Sequence, residues 1–139
     1  GQLHTNYEGK ARAAADALLK DGFDFVYVHV EAPDEMGHQG SWERKVQSIE
    51  YLDQRLIKHL KEALDASGEP YRMMVLPDHP TPIRVRTHTS DPVPFLLYDS
   101  MKTQNGQDVY SEKAARESGL TVSRGCELID RLFEKTEIR

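Results

Sequence analysis

Two segments decide how this chain is read: Glu31-Ala-Pro-Asp-Glu-Met-Gly-His-Gln-Gly40 and Leu76-Pro-Asp-His-Pro-Thr-Pro-Ile-Arg-Val-Arg-Thr-His88-Thr-Ser-Asp-Pro-Val-Pro94. Each follows a short apolar run, and together they carry Asp34, His38, Asp78, His79 and His88. In open α/β sheets, functional side chains gather beyond the carboxyl ends of strands, so both loops are expected over one sheet edge. The four-residue spacing from Asp34 to His38 puts both side chains on one face if that stretch takes even one helical turn. Asp78 and His79 are adjacent and meet one ion only where the backbone is irregular, as the flanking Pro77 and Pro80 allow. Mixed imidazole and carboxylate donors suit Zn²⁺, Mn²⁺ or Fe²⁺, and the lack of cysteine donors argues against a closed structural zinc site. The five residues therefore read as most of a two-metal site of the kind that serves phosphoryl transfer. The plainer reading is that Asp34 and Asp78 cap turns and the histidines are structural.

Outward from these loops the chain alternates. Ala11, Ala14, Ala15, Leu18 and Leu19 recur at helical spacing, behind a Thr5-x-x-Glu8 capping box and ahead of Gly22 as a left-handed terminator. Phe23–Val30 is apolar on both sides and reads as a buried strand under helices, with His29 as a core residue. Ser41 caps a second helix whose stripe is Trp42, Val46, Ile49, Leu52, Leu56, Leu60 and Ala63, closed by Gly68-Glu-Pro70. Tyr71–Leu76 and Pro94–Tyr98 read as two more strands. The five prolines at 77, 80, 82, 92 and 94 leave no room for a crossover helix, so that pair is expected to be antiparallel or displaced. A short helix from Ser111 to Gly119 and a last one with Leu128, Ile129, Leu132 and Phe133 complete an α/β layered domain.

A length of 139 residues fits one domain, and a formal charge of −5 argues against a surface that coats nucleic acid. No apolar run is long enough to span a bilayer, and no signal-peptide pattern opens the chain. The single Cys126 cannot form an internal disulfide, which fits a reducing, cytoplasmic setting. Arg84 and Arg86 suit a phosphate oxygen as well as they suit solvent, while His59 reads as solvated and His4 as terminal.

The words His29-Val-Glu-Ala-Pro-Asp-Glu-Met-Gly-His38, Leu76-Pro-Asp-His-Pro-Thr-Pro82 and Thr87-His-Thr-Ser-Asp-Pro-Val-Pro-Phe95 resemble the cofactor-independent (2,3-bisphosphoglycerate-independent) phosphoglycerate mutases. The likeness is to their archaeal-type branch, within the alkaline phosphatase superfamily, and it runs along nearly all of the chain. It implies a layered α/β sandwich with a mostly parallel sheet, alkaline phosphatase-like and incomplete. It implies that Asp34, His38 and His88 hold one divalent ion, and Asp78 and His79 another, as Mn²⁺ or Zn²⁺ without an organic cofactor. The family's nucleophilic serine and a further aspartate ligand have no counterpart in these residues, so no catalytic residue is assigned. Residues 1–139 are accordingly expected to be the C-terminal part of the metal-binding phosphatase-like domain of a longer enzyme, inactive alone.

The intact enzyme would interconvert 3- and 2-phosphoglycerate, in glycolysis and gluconeogenesis, through a phosphoserine. Its partner would be a small phosphorylated substrate, with neither nucleic acid nor membrane. An uncovered sheet edge in the fragment invites self-association. The rivals are a phosphatase, phosphodiesterase or phosphopentomutase of the same superfamily, a homoserine kinase, or a non-catalytic folded module.

Overall fold

A computed structural model describes residues 2–102 and 106–133; the remainder of the expected 1–139 span lies outside the described residues. The chain divides into two compact units, Gly1–Glu69 with Pro80–Ser90, and Pro70–His79 with Asp91–Arg139.

The first unit is helical. Helix α1 (Tyr7–Leu19) starts one residue later than the capping box predicts, because Asn6 is the cap and its side chain accepts from the Gly9 amide at 2.9 Å. Glu8 is thereby released for Arg55, which donates from Nε at 2.6 Å and from Nη2 at 3.0 Å. Gly22 terminates the helix as expected: its φ is +77°, and the Phe23 amide reaches back to the Ala17 carbonyl at 3.1 Å. Helix α2 spans Ala32–Gln39 and closes on Gly40 at φ +71°.

From Trp42 to Ser67 the chain is one continuous helical rod in three parts: α3 (Trp42–Tyr51), a π-helical turn (Leu52–Ile57) and α4 (Lys58–Ser67). Ser41 caps it, accepting from the Arg44 amide. The π turn alters the expected stripe. One added residue per turn rotates the downstream half of the rod by about 100° relative to an unbroken α-helix. Helix α3 thus packs on α2, while the π turn and α4 pack on α1. Leu56, Leu60 and Leu64 are buried with Tyr7, Ala11, Ala14 and Ala15, whereas Trp42, Val46 and Ile49 stay exposed. At the seam the Arg55 guanidinium lies 5.2 Å from the Tyr7 ring centroid and 5.0 Å from that of Tyr51. Fully buried Tyr7 donates its hydroxyl to the Leu3 carbonyl at 2.8 Å.

Phe23–Val30 does not form the expected buried strand. It carries no regular secondary structure; Phe23 is 61% and Tyr27 74% exposed, with Val26, Val28 and Val30 half-buried. The two-residue alternation is real, but a strand requires a ladder partner, and none of the described strands pairs with this segment. His29 is likewise not in the core; it is exposed, stacks on Tyr27 at 6.4 Å, and its carbonyl accepts from Lys10 Nζ.

In the second unit, β1 (Arg72–Val75) and β2 (Leu96–Asp99) pair antiparallel, as the proline-rich connection predicts, with Arg72 opposite Asp99 and Val75 opposite Leu96. That pair is the whole sheet among the described residues, so it contains no parallel ladder. Across it Arg72 Nε donates to Asp99 Oδ2 at 2.9 Å, with both side chains largely buried. Helix α5 (Glu112–Glu117) is capped by Ser111 Oγ at 3.1 Å from the Ala114 amide and is followed by Gly119 at φ +70°. A 3₁₀ turn (Gly125–Glu127) leads into α6 (Leu128–Leu132), which packs on β1. Among the described residues no helix is long and apolar enough to cross a membrane.

Candidate metal centre

Helix α2 opens with Pro33 in its first turn, where a missing N–H costs nothing and the fixed φ favours entry. The helix therefore begins in time to include both Asp34 and His38, one turn apart on a single face. The third member arrives from the segment Pro80–Ser90. Its turn is closed by Val85 and Arg86 amides donating to the Pro82 carbonyl (3.0 and 2.8 Å) and by the Thr89 amide donating to that of Pro80 (3.2 Å). His88 is thereby delivered to α2.

The resulting geometry is tight. His88 Nε2 lies 3.1 Å and His38 Nε2 3.3 Å from the same oxygen, Asp34 Oδ1, and the two ring nitrogens are 3.2 Å apart. One donor atom from each residue falls within 4.8 Å of the other two. The side chains are one-third to one-half exposed (Asp34 33%, His38 41%, His88 51%), so an ion has an open path to them.

Neighbouring groups orient the three. Thr81, only 4% exposed, donates its hydroxyl to Asp34 Oδ1 at 2.6 Å. Its carbonyl accepts from Lys45 Nζ at 2.6 Å. That carbonyl rests directly on Gly37, where a Cβ would fall 2.5 Å from the oxygen, so α2 carries glycine in its second turn to let the loop approach. On the far side of the cluster, His38 Nδ1 is 3.0 Å from the Arg86 carbonyl.

Asp78 and His79 belong to the other unit, where they meet each other. The Asp78 carboxylate accepts from the His79 amide at 3.0 Å and lies 3.4 Å from His79 Nε2. Of the five residues singled out by sequence, Asp34, His38 and His88 are thus brought into one cluster. Thr81, Lys45 and Arg86 were not foreseen in these roles. Thr81 stands in the second quoted segment, but a lone threonine between prolines carries no periodic or spacing signal.

Two nitrogens and a carboxylate oxygen, open to solvent and braced from behind, form a donor set suited to a divalent ion of the zinc or manganese kind. A family model described as the metalloenzyme superfamily matches residues 2–130. The chain is 44% identical over 135 residues to the 2,3-bisphosphoglycerate-independent phosphoglycerate mutase of Methanosarcina mazei, covering 96% of this chain and 34% of that protein. It is 43% identical over 136 residues to a protein named as a probable enzyme of the same kind from Geobacter sulfurreducens, covering 97% and 33%. Among solved structures, the PH0037 protein from Pyrococcus horikoshii aligns with a TM-score of 0.79 and 28% identity, over 96% of this chain and 39% of that one. The chain spans about a third of the length of these curated relatives. With a family match over nearly its whole length, this chain belongs to the metalloenzyme superfamily.

Proposed function

We propose that this chain is the metal-binding portion of a phosphoglycerate mutase that moves a phosphoryl group between the 3- and 2-hydroxyls of glycerate. The observation that carries the reading is the convergence of Asp34, His38 and His88 donor atoms within 4.8 Å. Three facing donors at that separation repel one another unless a proton or cation lies between them, and a divalent ion relieves all three at once. Relatives named as 2,3-bisphosphoglycerate-independent phosphoglycerate mutases, at 43–44% identity, supply the substrate class.

In this reading Asp34, His38 and His88 hold one divalent ion, and Asp78 with His79 contribute to a second, as Mn²⁺ or Zn²⁺. When bound, such ions lower the nucleophile's pKa and neutralise charge that builds on the phosphoryl oxygens. Within this chain, Thr81 holds the Asp34 carboxylate in place by its hydroxyl, and Lys45 holds Thr81 by its carbonyl. The serine that accepts the phosphoryl group lies in a part of the intact protein not represented here, so the isolated chain is expected to lack mutase activity. We assign residues 1–139 to the C-terminal part of a phosphatase-like domain with a mostly parallel sheet. The intact enzyme works in the cytoplasm on a small phosphorylated substrate, and the isolated chain self-associates through an uncovered sheet edge.

The test has two arms. Titration of this chain with Mn²⁺ or Zn²⁺ should give micromolar or tighter binding that His38→Ala and His88→Ala each abolish; indifference to both substitutions would return Asp34 to the role of a turn cap. The full-length protein, offered 3-phosphoglycerate alongside simple phosphate mono- and diesters, should prefer the former. Preference for an ester would move the assignment to a phosphatase or phosphodiesterase.

A further inference from the structure

Among the described residues, Arg86 is the only non-glycine with positive φ, at +57°. Long side chains rarely adopt that left-handed conformation, and where they do the surroundings fix it. Here three contacts fix it. The Arg86 amide donates to the Pro82 carbonyl at 2.8 Å, and its own carbonyl stands 3.0 Å from His38 Nδ1. Its side chain passes over Gly40, where a Cβ would lie 2.4 Å from Nε and 2.7 Å from Cζ. Gly40 is thus glycine for two reasons, its own left-handed backbone and the guanidinium stem laid across it. A cation resting on the C-terminal end of α2 is also favoured by the helix dipole.

We infer that Arg86 is a positioning residue whose left-handed backbone sets the tautomer of His38. A carbonyl oxygen only accepts, so the 3.0 Å contact requires the proton on Nδ1. With that proton on Nδ1, the neutral form of the ring leaves Nε2 unprotonated, and that atom faces Asp34 Oδ1 and His88 Nε2. A backbone in the ordinary right-handed or extended region would turn the peptide away from the ring. His38 would then be free to place its proton on the ligating nitrogen, and the lone pair that a cation needs would be lost. The inference rests on the reading of Asp34, His38 and His88 as a cation site, but it concerns the ring before any ion arrives.

The tautomer is measurable on the unsubstituted chain without metal. Long-range ¹H–¹⁵N correlation should show His38 with the proton on Nδ1. A proton on Nε2, or an even mixture, would overturn the inference. Two variants extend the test to Zn²⁺ titration. Arg86→Gly suits positive φ and keeps the carbonyl, so the tautomer should persist and affinity should stay within about threefold. Arg86→Val resists positive φ, so the tautomer should become mixed and affinity should fall about 10- to 100-fold. Retention of both properties in Arg86→Val, with circular dichroism confirming the helices, would overturn the inference as well. A fixed Nδ1–H tautomer in a chain that binds no Zn²⁺ would support the positioning role and reject the metal reading, so the two fail separately.

Discussion

Thr81 Oγ1 lies 2.6 Å from Asp34 Oδ1, the same oxygen that both imidazoles approach. The hydroxyl occupies one lone-pair direction of that oxygen. Thr81→Val keeps the shape and deletes the donor. Affinity for Zn²⁺ should drop about tenfold, as outer-sphere partners typically give. Stability should fall by only about 1 kcal/mol, because the carboxylate is partly solvated and can turn to water. Calorimetric titration and urea unfolding of the same samples separate the two effects; a stability loss with unchanged affinity would make Thr81 a packing residue only.

Gly37 and Gly68 offer a matched contrast. A Cβ on Gly37 would meet the Thr81 carbonyl at 2.5 Å, backbone that cannot move aside without lifting the turn that carries His88. Gly37→Ala should therefore destabilise by about 1–3 kcal/mol and weaken cation binding, despite alanine's better helix propensity. Gly68 has open space around it and a φ of +73°. Gly68→Ala should cost about 1 kcal/mol from backbone strain alone and leave cation binding unchanged. Equal effects of the two on binding would contradict the close-approach account of α2.

Arg72 and Asp99 face each other in register on β1 and β2, with side chains 16% and 15% exposed. The Asp99 carboxyl is held below the usual carboxylate range, first by the Met101 amide it accepts from and then by Arg72. A carboxyl whose folded pKa is depressed stabilises the fold above its unfolded pKa, and that stability is lost as pH falls through the folded value. Denaturation midpoints followed from neutral pH into acid should fall, and Asp99→Asn should flatten that acid limb. Arg72→Ala should cost about 1–3 kcal/mol at neutral pH, since it removes the charged donor to a largely buried carboxylate.

Glu8 should add a second acid-sensitive contribution of the same sign. Its carboxyl is held low chiefly by the paired hydrogen bonds from Arg55. Arg55→Met keeps an unbranched stem against Tyr7 and Tyr51 and removes the charge. It should lower the thermal midpoint at neutral pH and shrink the difference between neutral and acid midpoints. An unchanged difference would place the acid sensitivity elsewhere.

How far the sequence could be read varied with the range of the forces involved. Local signals held: Gly22, Ser41 and Ser111 terminate or cap their helices, and the proline-rich connection makes an antiparallel pair. The spacing of Asp34 and His38 was legible because one helical turn suffices to unite them, and His88 through the proline-rich words that resemble the mutase family. Non-local features were not. The apolar run Phe23–Val30 reads as buried on both sides, but the run alone cannot supply a neighbouring strand, and the side with Phe25, Tyr27 and His29 stays exposed. Thr81, Lys45 and Arg86 gain their roles only once the loop is laid on α2, and neither hydropathy nor spacing encodes that docking.

The wider turn at Leu52–Ile57 has a consequence for how this unit tolerates change. It acts as a swivel in one rod, letting the first half attend to the helix that bears Asp34 and His38 while the second half is committed to α1. Residues can therefore be repacked around Leu60 and Leu64 without disturbing the histidines. Losing a single residue between Leu52 and Ile57 would bring both halves of the rod into one phase. Only one of its two neighbours could then keep its seat.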